Sequence, residues 1–158
     1  MKFYTIGVYG SSEKEFFDKL LNNNIDTFCD IRQRRGVRGS KYAFVNSIRL
    51  QQRLNELDIK YAHISELAPT SEIRELQKED DKKKGILKRE RNELGEIFKI
   101  VYKNKILNNF DFDNFLNTLD NIGSSNVVFF CVEENHLACH RSLVTERLHK
   151  LGYQIEHL

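Results

Sequence analysis

The strongest chemical feature of the chain is the segment Cys131-Val132-Glu133-Glu134-Asn135-His136-Leu137-Ala138-Cys139-His140-Arg141-Ser142. An apolar run precedes it and a helical pattern follows it. It therefore reads as a strand that passes into a helix starting near Ala138 or Cys139. The free N–H groups and dipole of such a helix start attract an anion. A cation in the first turn opposes that dipole, so Arg141 points to an anionic partner, either a ligand or a carboxylate such as Glu133 or Asp30. His140 and Ser142 flank Arg141 and belong to the same expected ligand site. A thiol at this position is more acidic than usual, which makes Cys139 a candidate nucleophile; a small buried thiol is the alternative.

A second group of residues can serve the same chemistry. Asp30 and Arg32 are two apart on a strand and share one face. Asp30, like Glu133, is a candidate general acid or base, with an ion pair to Arg32 or Arg141 as the alternative. Between Arg32 and Lys41 lie five basic residues (Arg32, Arg34, Arg35, Arg38, Lys41) and no acid. With Tyr42 and Phe44 they suit phosphates and a stacked base; solvated loop charge is the alternative. Cys131, His136, Cys139 and His140 are metal-ligand types, but their spacing fits no familiar zinc pattern. Adjacent Cys139 and His140 on a helix also point in different directions, so no metal site is expected.

The elements that position these groups follow from periodicity. Phe3 to Tyr9 reads as a strand. Ser12 with Glu15 three residues on has the form of a capping box, opening a helix to about Asn22. Ile25 to Ile31 is an apolar strand of the doubly buried kind. Strand, helix and strand within about 30 residues imply a parallel pair with a right-handed crossover. Arg32 to Phe44 reads as a loop, followed by a helix capped at Asn46 or Ser47 and running to about Leu57. Ile59 to Ile64 is a third strand. Residues 66–109 carry the single proline and a run of charges, and read as two or three helices inserted between strands, either a solvated scaffold or a lid. Asp111 opens a helix that closes near Gly123. Val127 to Val132 is a fourth strand, the last helix ends at Leu151 before Gly152, and Tyr153 to Leu158 is a fifth strand.

Length and composition set the frame. The 158 residues, 40% hydrophobic and 30% charged, suit one α/β domain over residues 1–158, with a mostly parallel sheet of about five strands and helices on both faces. A net charge of +2 does not by itself argue for nucleic acid. Three cysteines without regular spacing do not form a secreted disulfide framework, and no apolar run is long enough to span a bilayer. A cytoplasmic protein with reduced thiols and no membrane partner is expected. In parallel sheets, ligands bind beyond the carboxyl ends of the strands, which brings Asp30, Arg32 and the Cys131–Ser142 segment to one edge.

Several stretches together resemble the domain-of-unknown-function family numbered 488. They are Tyr4-Thr5-Ile6-Gly7, Asp30-Ile31-Arg32 with its Arg-rich loop, Tyr61-Ala62-His63-Ile64-Ser65-Glu66-Leu67, and Cys131-Val132-Glu133 with Ala138-Cys139-His140-Arg141-Ser142. The resemblance runs from end to end. It implies the fold and the site but no reaction. Where that family reads Gly-His-Ser after its first strand, this chain reads Gly7-Val8-Tyr9-Gly10. The leading expectation is an enzyme-like pocket for a phosphorylated or otherwise anionic ligand, a nucleotide or a nucleic-acid end. A non-catalytic nucleic-acid-binding module and a thiol enzyme using Cys139 or Cys131 are the alternatives. No motif names a cofactor, a substrate or an oligomeric state.

Overall fold

The computed structural model describes residues 1–158. Five strands, β1 (Lys2–Ile6), β2 (Thr27–Asp30), β3 (Lys60–His63), β4 (Asn126–Phe130) and β5 (Gln154–His157), form one sheet in the order β3-β2-β4-β1-β5. Every neighbouring pair is parallel. The fold is therefore the expected α/β class.

Six helices connect the strands: α1 (Glu13–Asn22), α2 (Ser47–Glu56), α3 (Ser71–Lys84), α4 (Glu96–Tyr102), α5 (Phe112–Asn121) and α6 (Arg141–Lys150). The capping box at the start of α1 is formed: the Glu15 amide donates to Oγ of Ser12, and the Ser12 amide donates to the Glu15 carboxylate. α1 then buries Phe16, Phe17 and Leu20. Burial of each such side chain contributes about 1.5–3 kcal/mol relative to exposure. Asn46 precedes α2 as expected, but its side-chain oxygen accepts from the Val37 amide and so fastens the basic loop instead of capping the helix.

The sheet carries a core on each face. Phe16, Phe17, Leu20, Leu50 and Leu54 of α1 and α2 pack with Phe28 and Phe130 on one side. Ile73, Phe98, Tyr102, Phe115, Leu143 and Leu148 of the other four helices pack with Phe3, Cys29 and Phe129 on the opposite side. The 66–109 insertion contributes α3 and α4, and α4 passes into a single π-helical turn, Lys103–Leu107. Its apolar face is part of the second core. No helix is long and apolar enough to cross a membrane.

β1 is shorter than its apolar run predicts. It stops at Ile6, and at the next residue the carbonyl oxygen of Glu133 comes within 2.0 Å of where a side-chain carbon would stand, so only glycine fits there. The ladder gives way there to irregular bonds from the Val8 and Tyr9 amides to the Val132 carbonyl. β2 and β4 are adjacent, yet α2 leads from β2 outward to β3 and α6 leads from β4 the other way to β5. The strand order thus reverses at this pair, which is where parallel α/β sheets open a crevice.

Candidate functional site

A cleft of about 440 Å³ lies at that crevice. Its walls come from three regions: the loop after β2, the segment after β4, and the insertion. Seven cationic side chains line it (Arg32, Arg34, Arg38, Arg74, Lys78, Lys88, Arg91) against two carboxylates (Asp81, Glu133). A larger cavity of about 570 Å³ sits elsewhere, among Glu93, Lys99, Glu146, His149 and His157. Its charges are mixed and it gathers neither the thiols nor the basic loop.

Arg32 is fixed by a buried pair. Its Nε and Nη2 donate to the two oxygens of Asp30 at 2.9 and 2.7 Å, and Nη2 also donates to the Val45 carbonyl. The hydroxyl of Tyr61 donates to Asp30 as well, and the guanidinium lies 4.6 Å from the Phe130 ring centroid. Asp30 is 0% and Arg32 3% exposed. Nη1 of Arg32 has no partner although it is buried. Asp30 therefore serves as the anchor of Arg32, and its carboxylate has no oxygen left over for a proton-transfer role in this geometry. His63 is satisfied too, with Nε2 donating to the Arg32 carbonyl.

Arg141 is not in the cleft. Its Nη1 and Nη2 donate to the carbonyls of Glu133 and Glu134 at 2.6 and 2.8 Å, and the residue is 1% exposed. It clamps the turn between β4 and α6. α6 starts two residues later than Cys139, with His140 at its cap position. The amides of Ser142, Leu143 and Val144 already donate to the carbonyls of Cys139 and His140. The open set of amides expected at Cys139 is thus not formed, because the first turn tightens on itself. Ser142 donates to the Cys139 carbonyl and faces the other cavity. Arg35 also lies outside the cleft lining, beside Tyr61.

Cys131, Cys139 and His140 do come together. All three are buried, all three line the cleft, and their ligand atoms lie within 4.8 Å of one another. The Cys139 sulfur is 3.6 Å from Nδ1 of His140. Nε2 of His140 is 3.0 Å from the Ile31 carbonyl, which can only accept, so Nε2 carries a proton. The Tyr102 ring packs against the imidazole, and its own hydroxyl donates to the Leu67 carbonyl. The expectation that Cys139 and His140 diverge fails because neither sits inside a regular helix. Burial works to raise the Cys139 thiol, but the Cys131 thiol, His140 and Arg141 outweigh it and hold Cys139 well below the usual thiol range. The Cys139 sulfur, and then burial, push Cys131 well above that range.

Glu133 pairs with Lys88 at 3.1 Å, with the Lys88 side chain 63% exposed at the rim. Arg91 is more deeply set. It donates to Asp81 and to the Ala138 carbonyl, which straps the insertion to the residue before Cys139. Asp81 in turn accepts from Gln77, whose oxygen accepts from the Gly95 amide. Sequence reasoning did not single out Arg74, Lys78, Lys88 or Arg91. A signal for two of them was present, since Arg74 and Lys78 are four apart and Asp81 lies seven from Arg74, all on one helix face.

A family model described as Domain of unknown function DUF488 matches residues 12–148. The chain belongs to that family. The matched span of this DUF488 member includes all three regions that wall the cleft and the whole thiol–imidazole cluster. No curated protein and no solved structure matches the chain.

Proposed function

We propose that the chain is an enzyme-like protein that takes an anionic ligand in this cleft: a phosphorylated small molecule, a nucleotide or a phosphorylated nucleic-acid end. One observation carries the reading. Seven cations face two carboxylates around one concavity, and Arg32 is held there by Asp30 with a buried Nη1 still unpaired. A guanidinium fixed in advance loses little freedom on binding and forms the strong charge-assisted bonds that phosphate accepts. Arg34 and Arg38, exposed on the loop, supply the outer contacts, and Arg91 the inner ones. Three free thiols suit a reducing compartment such as the cytoplasm.

The test is calorimetric titration with inorganic pyrophosphate and with a 5′-phosphorylated oligonucleotide. Pyrophosphate binding that weakens with added salt and is lost in Arg34→Ala/Arg38→Ala protein supports the cleft. Absence of binding by both, at low salt, contradicts it. Oligonucleotide binding without pyrophosphate binding favours the accessory-module alternative, in which the loop grips only the backbone.

A second reading, thiol catalysis, rests on the contact between Cys139 and His140. A thiolate beside an imidazole is the arrangement of an activated sulfur nucleophile. It requires rapid alkylation of Cys139 at neutral pH in metal-free protein, and slow alkylation there rules it out.

A further inference from the structure

Cys131 shifts the balance between those uses of the sulfur. A nucleophile needs only Cys139 and its base; here a third donor, the Cys131 sulfur, lies within 4.8 Å of both. Three soft donors converging from two sides of a turn are what a thiophilic cation needs. We propose that Cys131, Cys139 and His140 bind one zinc ion, with the fourth position open to the cleft.

Three features support the site. The first is distance. Tetrahedral zinc with bonds of about 2.3 Å to sulfur and about 2.05 Å to nitrogen sets those two ligand atoms about 3.6 Å apart. The Cys139 sulfur and Nδ1 of His140 are 3.6 Å apart. The second is the state of the imidazole. Nε2 donates to the Ile31 carbonyl, which leaves the Nδ1 lone pair facing the Cys139 sulfur. A metal-binding histidine is held in just this way by a backbone carbonyl behind it. The third is charge. Two thiolates cancel the charge of a divalent ion, so the site adds no net charge to a cationic cleft.

Three protein ligands and an open position distinguish catalytic from structural zinc. An anionic oxygen in the cleft can take that position, with Arg32 and Arg91 binding its other oxygens. This last step rests on the anion reading above; the metal site itself does not. The spacing concealed it, because the ligands fall at 131, 139 and 140 and no second pair exists elsewhere.

The experiment loads reduced full-length protein with zinc chloride, removes the excess by gel filtration, and measures metal content and N-ethylmaleimide labelling by peptide mapping. One zinc per chain is expected, with Cys131 and Cys139 labelling at least about tenfold more slowly than in metal-free protein. Cys131→Ser and Cys139→Ser should each weaken zinc by more than the roughly 10–100-fold that loss of an outer partner costs. Cobalt(II) should give a thiolate charge-transfer band in the near ultraviolet. A chain that retains no zinc overturns the proposal, as does zinc retention with both thiols labelled at the metal-free rate. Pyrophosphate titration of the same samples separates the two readings. Protein without zinc affinity that still binds pyrophosphate loses the metal site alone; zinc-binding protein that takes no pyrophosphate loses the anion cleft alone.

Discussion

The carboxylate of Asp30 holds the guanidinium of Arg32 through two bonds of 2.9 and 2.7 Å in a pair that is almost wholly buried. Such a pair contributes little net stability, yet removing one partner strands a buried charge. Asp30→Ala should therefore cost about 3–5 kcal/mol in urea denaturation. Replacing both, as in Asp30→Leu/Arg32→Met, should recover most of that loss while abolishing pyrophosphate binding. If Asp30→Ala is as stable as the native chain, Arg32 is not anchored in this way.

Gly7 is fixed by close approach, since a side-chain carbon there meets the Glu133 carbonyl at 2.0 Å and Nη2 of Arg141 at 3.1 Å. Gly7→Ala must push the turn after β4 away from β1. Overpacking of this kind costs about 1–3 kcal/mol. Denaturant midpoints measure the stability loss. Amide exchange should quicken at Val8 and Tyr9, whose bonds to Val132 depend on the same approach. Unchanged exchange at those two positions argues against the contact.

The sequence displayed the scaffold more fully than the site, for physical reasons. The capping box at Ser12, the apolar runs around Phe28 and Phe129, and the cap at Asp111 are local signals, and all three formed as read. Asp30 and Arg32 were legible as a pair because two-residue spacing fixes a strand face. Arg141 was misplaced because its partners are backbone carbonyls, which no residue type announces. The convergence of Cys131 with Cys139 and His140 depends on the path of the turn between β4 and α6. Lys88 and Arg91 reach the cleft only through the packing of the insertion. Neither is encoded by spacing along the chain.

His157 at the end of β5 predicts an acid-sensitive C-terminus. Its pKa falls from 6.5 to about 4, first through burial and then through His136 and Arg141. The His136 ring stacks on it at 3.6 Å, and Thr5 hydrogen-bonds its Nδ1 at 2.7 Å. Between those two pH values only the unfolded chain takes up the proton. The contribution of neutral His157 is thus complete above pH 6.5 and is lost as pH falls toward 4. Screening at this exposed residue holds the effect to on the order of 1 kcal/mol. The melting temperature should fall more steeply from about pH 7 to about pH 4.5 in the native chain than in His157→Gln. Equal slopes would count against a neutral His157.

Neutralising the insertion tests whether it is a working wall of the cleft. Arg74→Ala/Lys78→Ala removes two exposed or half-exposed cations that carry no core packing. Stability should change by no more than about 0.5 kcal/mol. The salt dependence of oligonucleotide or pyrophosphate binding should become shallower, by roughly one unit of log–log slope for each phosphate that no longer meets a cation. An unchanged slope would place the ligand against the β2 loop alone.

Anion binding beside Arg32 is tested most directly by a crystal soaked in tungstate, a heavy phosphate mimic. The expected result is an anomalous peak in the cleft within hydrogen-bonding reach of the unpaired Nη1 of Arg32, with Arg91 or Arg38 as a further ligand. Tungstate bound only at the other cavity, or nowhere on a chain whose cleft is open to solvent, would contradict it.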